Sequence, residues 1–161
     1  GLTVDRQPAL IQRQLDAATA RAERYLRRSL LTQTLCAYYL LDGKDCRCAL
    51  AMILPRGKVQ SVTRIETADG AAVTTGYRVE WNTIILDAPV AQATSVMYVS
   101  GYGDDAAAVP APIREGILEY ATTLYEDRPG AREAKYQASA DRTIPAGVLD
   151  LWRPYQIEVS G

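Results

Sequence analysis

The chain has 161 residues, 48% of them hydrophobic and 23% charged, with a formal net charge of −1. That length and balance suit one globular domain with a real core, and near-neutrality argues against a surface that grips nucleic acid throughout. Histidine is absent, which removes the commonest general base and the commonest metal ligand, and no apolar run approaches the roughly 20 residues that span a bilayer.

Residues 8 to 30 read as a helix. Ile11, Leu15, Ala18, Ala22, Tyr25 and Leu26 recur at the spacing that lines one helical face, and Pro8 suits a first turn, where its missing N–H costs nothing. Arg13, Arg21, Arg24, Arg27 and Arg28 fall on the opposite face. A basic stripe there is either a solvated surface or a docking face for acidic protein or phosphate.

From Thr34 to Val99 the pattern turns to strands. "TLCAYYLL" and "CALAMILP" are short apolar runs separated by the turn dipeptide Asp42-Gly43. "KVQSVTRIE" alternates, with Val59, Ser61, Thr63 and Ile65 out of phase with Gln60, Val62 and Arg64. Asp69-Gly70 leads into "AAVTTGYRVEW", Asn82-Thr83 is read as the turn into "IILD", and "ATSVMYVSGY" is the last strand. Short turns between strands, with no intervening helices, imply an antiparallel sheet or small sandwich.

A second helix is expected from Pro112 to Arg128, with Ile113, Ile117, Tyr120, Ala121 and Leu124 on its apolar face and Glu115, Glu119 and Glu126 on the other. Pro110 and Pro112 stiffen its entry, and Arg128-Pro129-Gly130 stops it. Polar, alanine-rich residues around 130–143 read as mobile. After them come a short apolar turn at Val148, Leu149, Leu151 and Trp152, then an extended tail broken by Pro154. A Trp and a Tyr three residues apart near a terminus suit either docking on their own domain or binding a partner. The fold expected is α+β: an antiparallel β-rich core, a long N-terminal helix, a second core helix and an extended C-terminal tail. The domain is expected to occupy residues 1–151, the tail residues 152–161.

Little in the chain carries chemistry. The three cysteines, Cys36, Cys46 and Cys48, read as free thiols of a reducing compartment, since zinc wants four ligands and no histidine completes a set. Phosphate-loop, dinucleotide and nucleophile-elbow patterns are missing. Asp104 and Asp105 stand together in "SGYGDD", but a hard-cation site needs ligands from several places. Neither a catalytic residue, nor a metal, nor a cofactor is expected.

The order of motifs resembles the head–tail connector (adaptor, or head-completion) proteins of long-tailed phages and gene transfer agents. The resemblance rests on "LDAATARAERYLRRSLLTQTLCAYYLLDG", "ILPRGKVQSVTRIETADG", "YRVEWNTIILD", "VMYVSGYGDDAAAVPAPIREGILEYATTLYEDR" and "IPAGVLDLWRPYQ", in that order, over nearly the whole chain. It implies a non-catalytic protein that forms a dodecameric ring under the portal, extends the DNA channel and receives closure or tail proteins, in a virion or virion-like particle. It also implies that a C-terminal segment, here Trp152, Arg153, Pro154, Tyr155, Gln156 and Ile157, engages the portal. In that setting Arg21, Arg24 and Arg28 are candidates to face acidic groups on a neighbouring subunit or partner, and Glu115, Glu119 and Glu126 to line or approach the channel. The rival of another class is a small DNA-binding protein using the arginine face, against which stand the acidic second helix and the missing helix-turn-helix spacing.

Overall fold

Three helices and two three-stranded antiparallel sheets make up the computed structural model, which describes residues 6–39, 51–87, 94–126 and 144–157. The α+β class expected from sequence is what is found. Cys46, Cys48, the Asp42-Gly43 turn, the Arg128-Pro129-Gly130 stop and the 130–143 segment lie outside the described residues. Where the sequence reads as one domain up to Leu151, the chain groups into two compact units. A helical unit is drawn from both ends (Gly1–Leu26 and Val109–Gly161), and a strand unit is made of Arg27–Ala108.

In the helical unit, α1 spans Arg6–Leu26, α2 Ala111–Glu126 and α3 Ala146–Trp152. Ala18, Ala22 and Leu26, each one turn apart, are fully buried, and the two alanines let a neighbouring helix come close. On α2 the buried positions are Ile113, Gly116, Tyr120, Ala121 and Leu124, close to the expected face, with Gly116 in place of Ile117. α1 ends four residues before the expected limit because Arg27 adopts φ +54°, a left-handed conformation that terminates helices. Arg28 then pairs in a parallel bridge with Gly57 and belongs to the strand unit. The five-arginine helical stripe is thereby corrected: Arg27 and Arg28 are not on the helix.

In the strand unit, β1 (Gln33–Tyr39), β6 (Thr94–Ser100) and β3 (Val59–Thr67) form one sheet in the order β1-β6-β3. The other sheet has the order β2-β5-β4, from Ala51–Ile53, Thr83–Leu86 and Tyr77–Glu80. Both sheets feed one core of Ala37, Met52, Leu54, Ile65, Ile84, Leu86, Val96 and Tyr98, the small sandwich that alternating strands imply. β3 departs from simple alternation. Irregularities between Val59 and Ser61 and between Val62 and Arg64 shift its register, so that Val59, Val62 and Ile65, three apart, all reach the core. Tyr39 on β1 donates its hydroxyl to the Ile53 carbonyl on β2 at 2.7 Å, tying the sheets together. Burial, with Tyr98 nearby, pushes its phenol up to about 12.

Candidate partner-binding surfaces

The C-terminal segment is the most constrained of the sites named from sequence. Pro145 sets extended backbone just before α3, and its carbonyl accepts the Leu149 N–H at 3.1 Å. Val148 and Trp152, one turn apart, are the buried residues of α3. The Trp152 indole donates to the Ile113 carbonyl at 3.2 Å and lies among aromatic rings. Tyr25 is 6.0 Å away between centroids, and Tyr120 stands edge-on at 6.4 Å. A Cβ at Gly116 would come within 2.3 Å of the indole nitrogen, so the glycine on α2 makes the seat.

Trp152 is therefore an internal anchor with no exposed surface, and the tail does not begin there. Arg153–Tyr155 continues as a 3-10 turn with Pro154 in its first residues, and Gln156 (φ −68°, ψ 138°) is the first extended residue. The Ile157 N–H then donates to the Leu26 carbonyl at 3.3 Å, satisfying a group at the end of α1. Arg153 and Pro154 are exposed, and Tyr155, Gln156 and Ile157 are half-buried. The sequence left docking on its own domain and binding a partner both open for this residue, because the contacts that decide lie far upstream, with Ile113 39 residues away.

The charged candidates separate into groups. Arg24 is exposed and Arg21 half-buried on α1, whereas Arg28 sits in the strand unit, its carbonyl accepting from Arg56 at 3.4 Å. Glu115, Glu119 and Glu126 are all exposed on α2. Glu119 lies beside the first turn of α3, since a Cβ on Gly147 would stand 3.4 Å from its carboxylate, a placement favourable to the helix dipole.

The Gly-Tyr-Gly-Asp-Asp loop after β6 is a structural brace. Gly101, at φ +145°, lies so close to the backbone of Leu31 that a Cβ would meet its carbonyl oxygen at 2.5 Å. The Ser100 hydroxyl donates to the Gly57 carbonyl at 2.6 Å, and the Gln60 amide donates to the Gly101 carbonyl at 2.9 Å. Asp105 accepts from the N–H groups of Ala107 (2.8 Å) and Ala108 (3.2 Å), capping a short 3-10 turn. Among the described residues no group of three or more Cys, Asp or Glu is placed to hold a metal, and no helix is long and apolar enough to cross a membrane.

Two exposed apolar features escaped the sequence reading. Trp81 is 94% exposed at φ +57° in the two-residue loop between β4 and β5. The turn is Trp81-Asn82, one residue earlier than expected; an Asn between two short strands was the available signal. The second feature is a groove of about 360 Å3 in the helical unit, lined by Ile11, Gln14, Leu15, Leu118, Ala121, Thr122 and Tyr125. Ile11, expected to face the core, is 48% exposed there and Leu118 53%.

No protein-family model matches the chain, and no curated protein matches its sequence. Chains of solved structures share the fold, among them the following three. A chain in the neck of an empty gene transfer agent particle, computed with C6 symmetry, aligns at TM-score 0.71 and 20% identity, over 95% of this chain and 81% of that one. A chain in the neck of the native particle, computed with C12 symmetry, aligns at TM-score 0.70 and 20% identity, over 94% and 84%. A chain of the virion of a native gene transfer agent particle aligns at TM-score 0.70 and 20% identity, over 96% and 81%.

Proposed function

We propose that the chain is a structural, non-catalytic connector in the neck of a tailed phage or gene transfer agent particle. It forms a ring under the portal, extends the channel through which duplex DNA passes without sequence-specific contact, and joins the head to closure or tail proteins. The observation that carries this reading is the likeness to neck chains over 94–95% of this chain and 81–84% of theirs, at TM-scores of 0.70 and 0.71. The cyclic symmetry under which those necks were computed supports a ring of identical copies.

Arg153, Pro154, Tyr155, Gln156 and Ile157 form the portal-facing segment in this proposal. Trp152 fixes the point from which they leave the helical unit and makes no contact with the portal itself. A short segment held at its base loses less entropy on binding than a free tail. Arg21 and Arg24 on α1, and Arg28 on the strand unit, meet acidic groups on a neighbour. The acidic face of Glu115, Glu119 and Glu126 turns toward the channel, where like charge keeps DNA from sticking. DNA binding by an arginine-faced helix is the weaker reading, because two of the five arginines are off the helix.

Deleting the coding sequence in a producing strain tests the role directly. DNA-filled heads without tails should accumulate, rescued by the intact chain and not by one ending at Arg153. Normal tailed particles from the deletion strain would overturn the proposal, and a salt-sensitive gel shift with duplex DNA would favour the rival.

A further inference from the structure

We infer that Trp81 of one copy seats in the groove between α1 and α2 of the next copy, a head-to-tail contact repeated around the ring; this rests on the connector reading above. Three observations meet here. Among the described residues Trp81 is the most exposed of the large apolar side chains, at 94%, and its left-handed φ of +57° is a conformation that costs a non-glycine residue about 1–2 kcal/mol. Glycine would relieve that strain at the tip, but it would give up the aromatic ring.

The tip is also tied to the neighbouring strand: the Leu54 N–H donates to the Asn82 carbonyl at 2.7 Å. A knob fixed in advance loses little conformational entropy on insertion. The groove supplies a matching socket. Its apolar walls include the exposed Ile11 and Leu118, and about 360 Å3 falls in the range of pockets that enclose a compact ligand group, roughly 300–1,000 Å3. An indole N–H needs an acceptor when it is buried, and the groove offers the Gln14 amide oxygen and the Thr122 hydroxyl. That hydroxyl donates its own proton to the Leu118 carbonyl at 2.9 Å, which leaves its lone pairs able to accept.

The occupant is a second copy because knob and socket occur on one chain, on its two different units. A contact between unlike surfaces of identical chains propagates head to tail and closes a ring or runs on as a filament. By area this contact is one part of a larger subunit interface. A tryptophan buries about 150–250 Å2, far short of the roughly 1,200 Å2 that a stable pair of free proteins needs. Two free copies are therefore not held by this contact alone. In a closed ring each copy is gripped on both sides, and the contact gains from effective concentration.

Two readouts test the inference. The chain holds only two tryptophans, one fully buried and one nearly free, so Trp81 dominates acrylamide quenching in the free chain. Assembly on the cognate portal ring should protect it, and a photo-crosslinking amino acid at position 81 should capture the α1 or α2 groove of a neighbouring copy. Trp81→Ala should lower ring occupancy about tenfold or more, as loss of an interface aromatic does, while Trp152 emission reports an intact helical unit. Thr122→Arg, which fills the socket from the other side, should give the same loss. A normal ring in which position 81 stays quenchable or crosslinks to another protein overturns this inference and leaves the connector reading standing. Failure of the unaltered chain to assemble on a competent portal removes both.

Discussion

The two units bury their apolar residues in opposite ways. The strand unit spreads its core over eight side chains from five of its six strands and the turn after β2, none of which dominates. The helical unit converges on Trp152, which touches α2 through Ile113 and Tyr120 and reaches Tyr25 on α1. A distributed core tolerates local change, whereas a convergent one transmits it. That convergence suits a unit whose last residues are proposed to bind a partner, because the seat of one indole fixes where the segment leaves.

Trp152→Ala should have the largest effect, about 3–5 kcal/mol of stability as for other buried large aromatics, measured by denaturant melts followed by circular dichroism. A loss below about 1 kcal/mol, the range of exposed changes, would break the contrast between the units. Gly116→Ala should cost about 1–3 kcal/mol by forcing the indole from its place. Combined with Trp152→Ala the two costs should add to less than their sum, since the second change removes the atom that the first one strikes. In the strand unit Ile84→Val, one methylene less at a fully buried site, should cost only about 0.5–1.5 kcal/mol.

One effect shows only at high pH. Tyr39 has its folded pKa raised, chiefly by burial, from 10.0 to about 12. The folded state therefore holds its proton where the unfolded chain releases it, and this contribution is complete below pH 10 and lost as pH rises toward 12. Melting temperature should fall between those values, and Tyr39→Phe should flatten the fall. An unchanged slope in that variant would assign the effect to other groups.

The parts of the fold legible in the sequence are those written in local pattern. The α+β class, the apolar face of α2 and the succession of strands all follow from spacing, because each element buries its own periodic face. What was not legible depends on partners distant in sequence or on backbone details. Arg27 ends α1 in a left-handed conformation without the glycine that usually signals it. Two register shifts in β3 turn an apparent alternation into a three-residue spacing. Trp152 read equally well as anchor or as tail, and only Gly116 and Ile113, more than thirty residues upstream, decide between them. Trp81 was absorbed into a strand because a one-residue error in the turn hid its place at the tip.

The measurement that bears most directly on the connector role is electron microscopy of the purified chain mixed with its cognate portal ring. A ring of copies seated coaxially on the portal, open along the axis and dependent on the residues after Trp152, is the expected result. A competent portal that stays bare, or carries isolated copies without an axial channel, would contradict it.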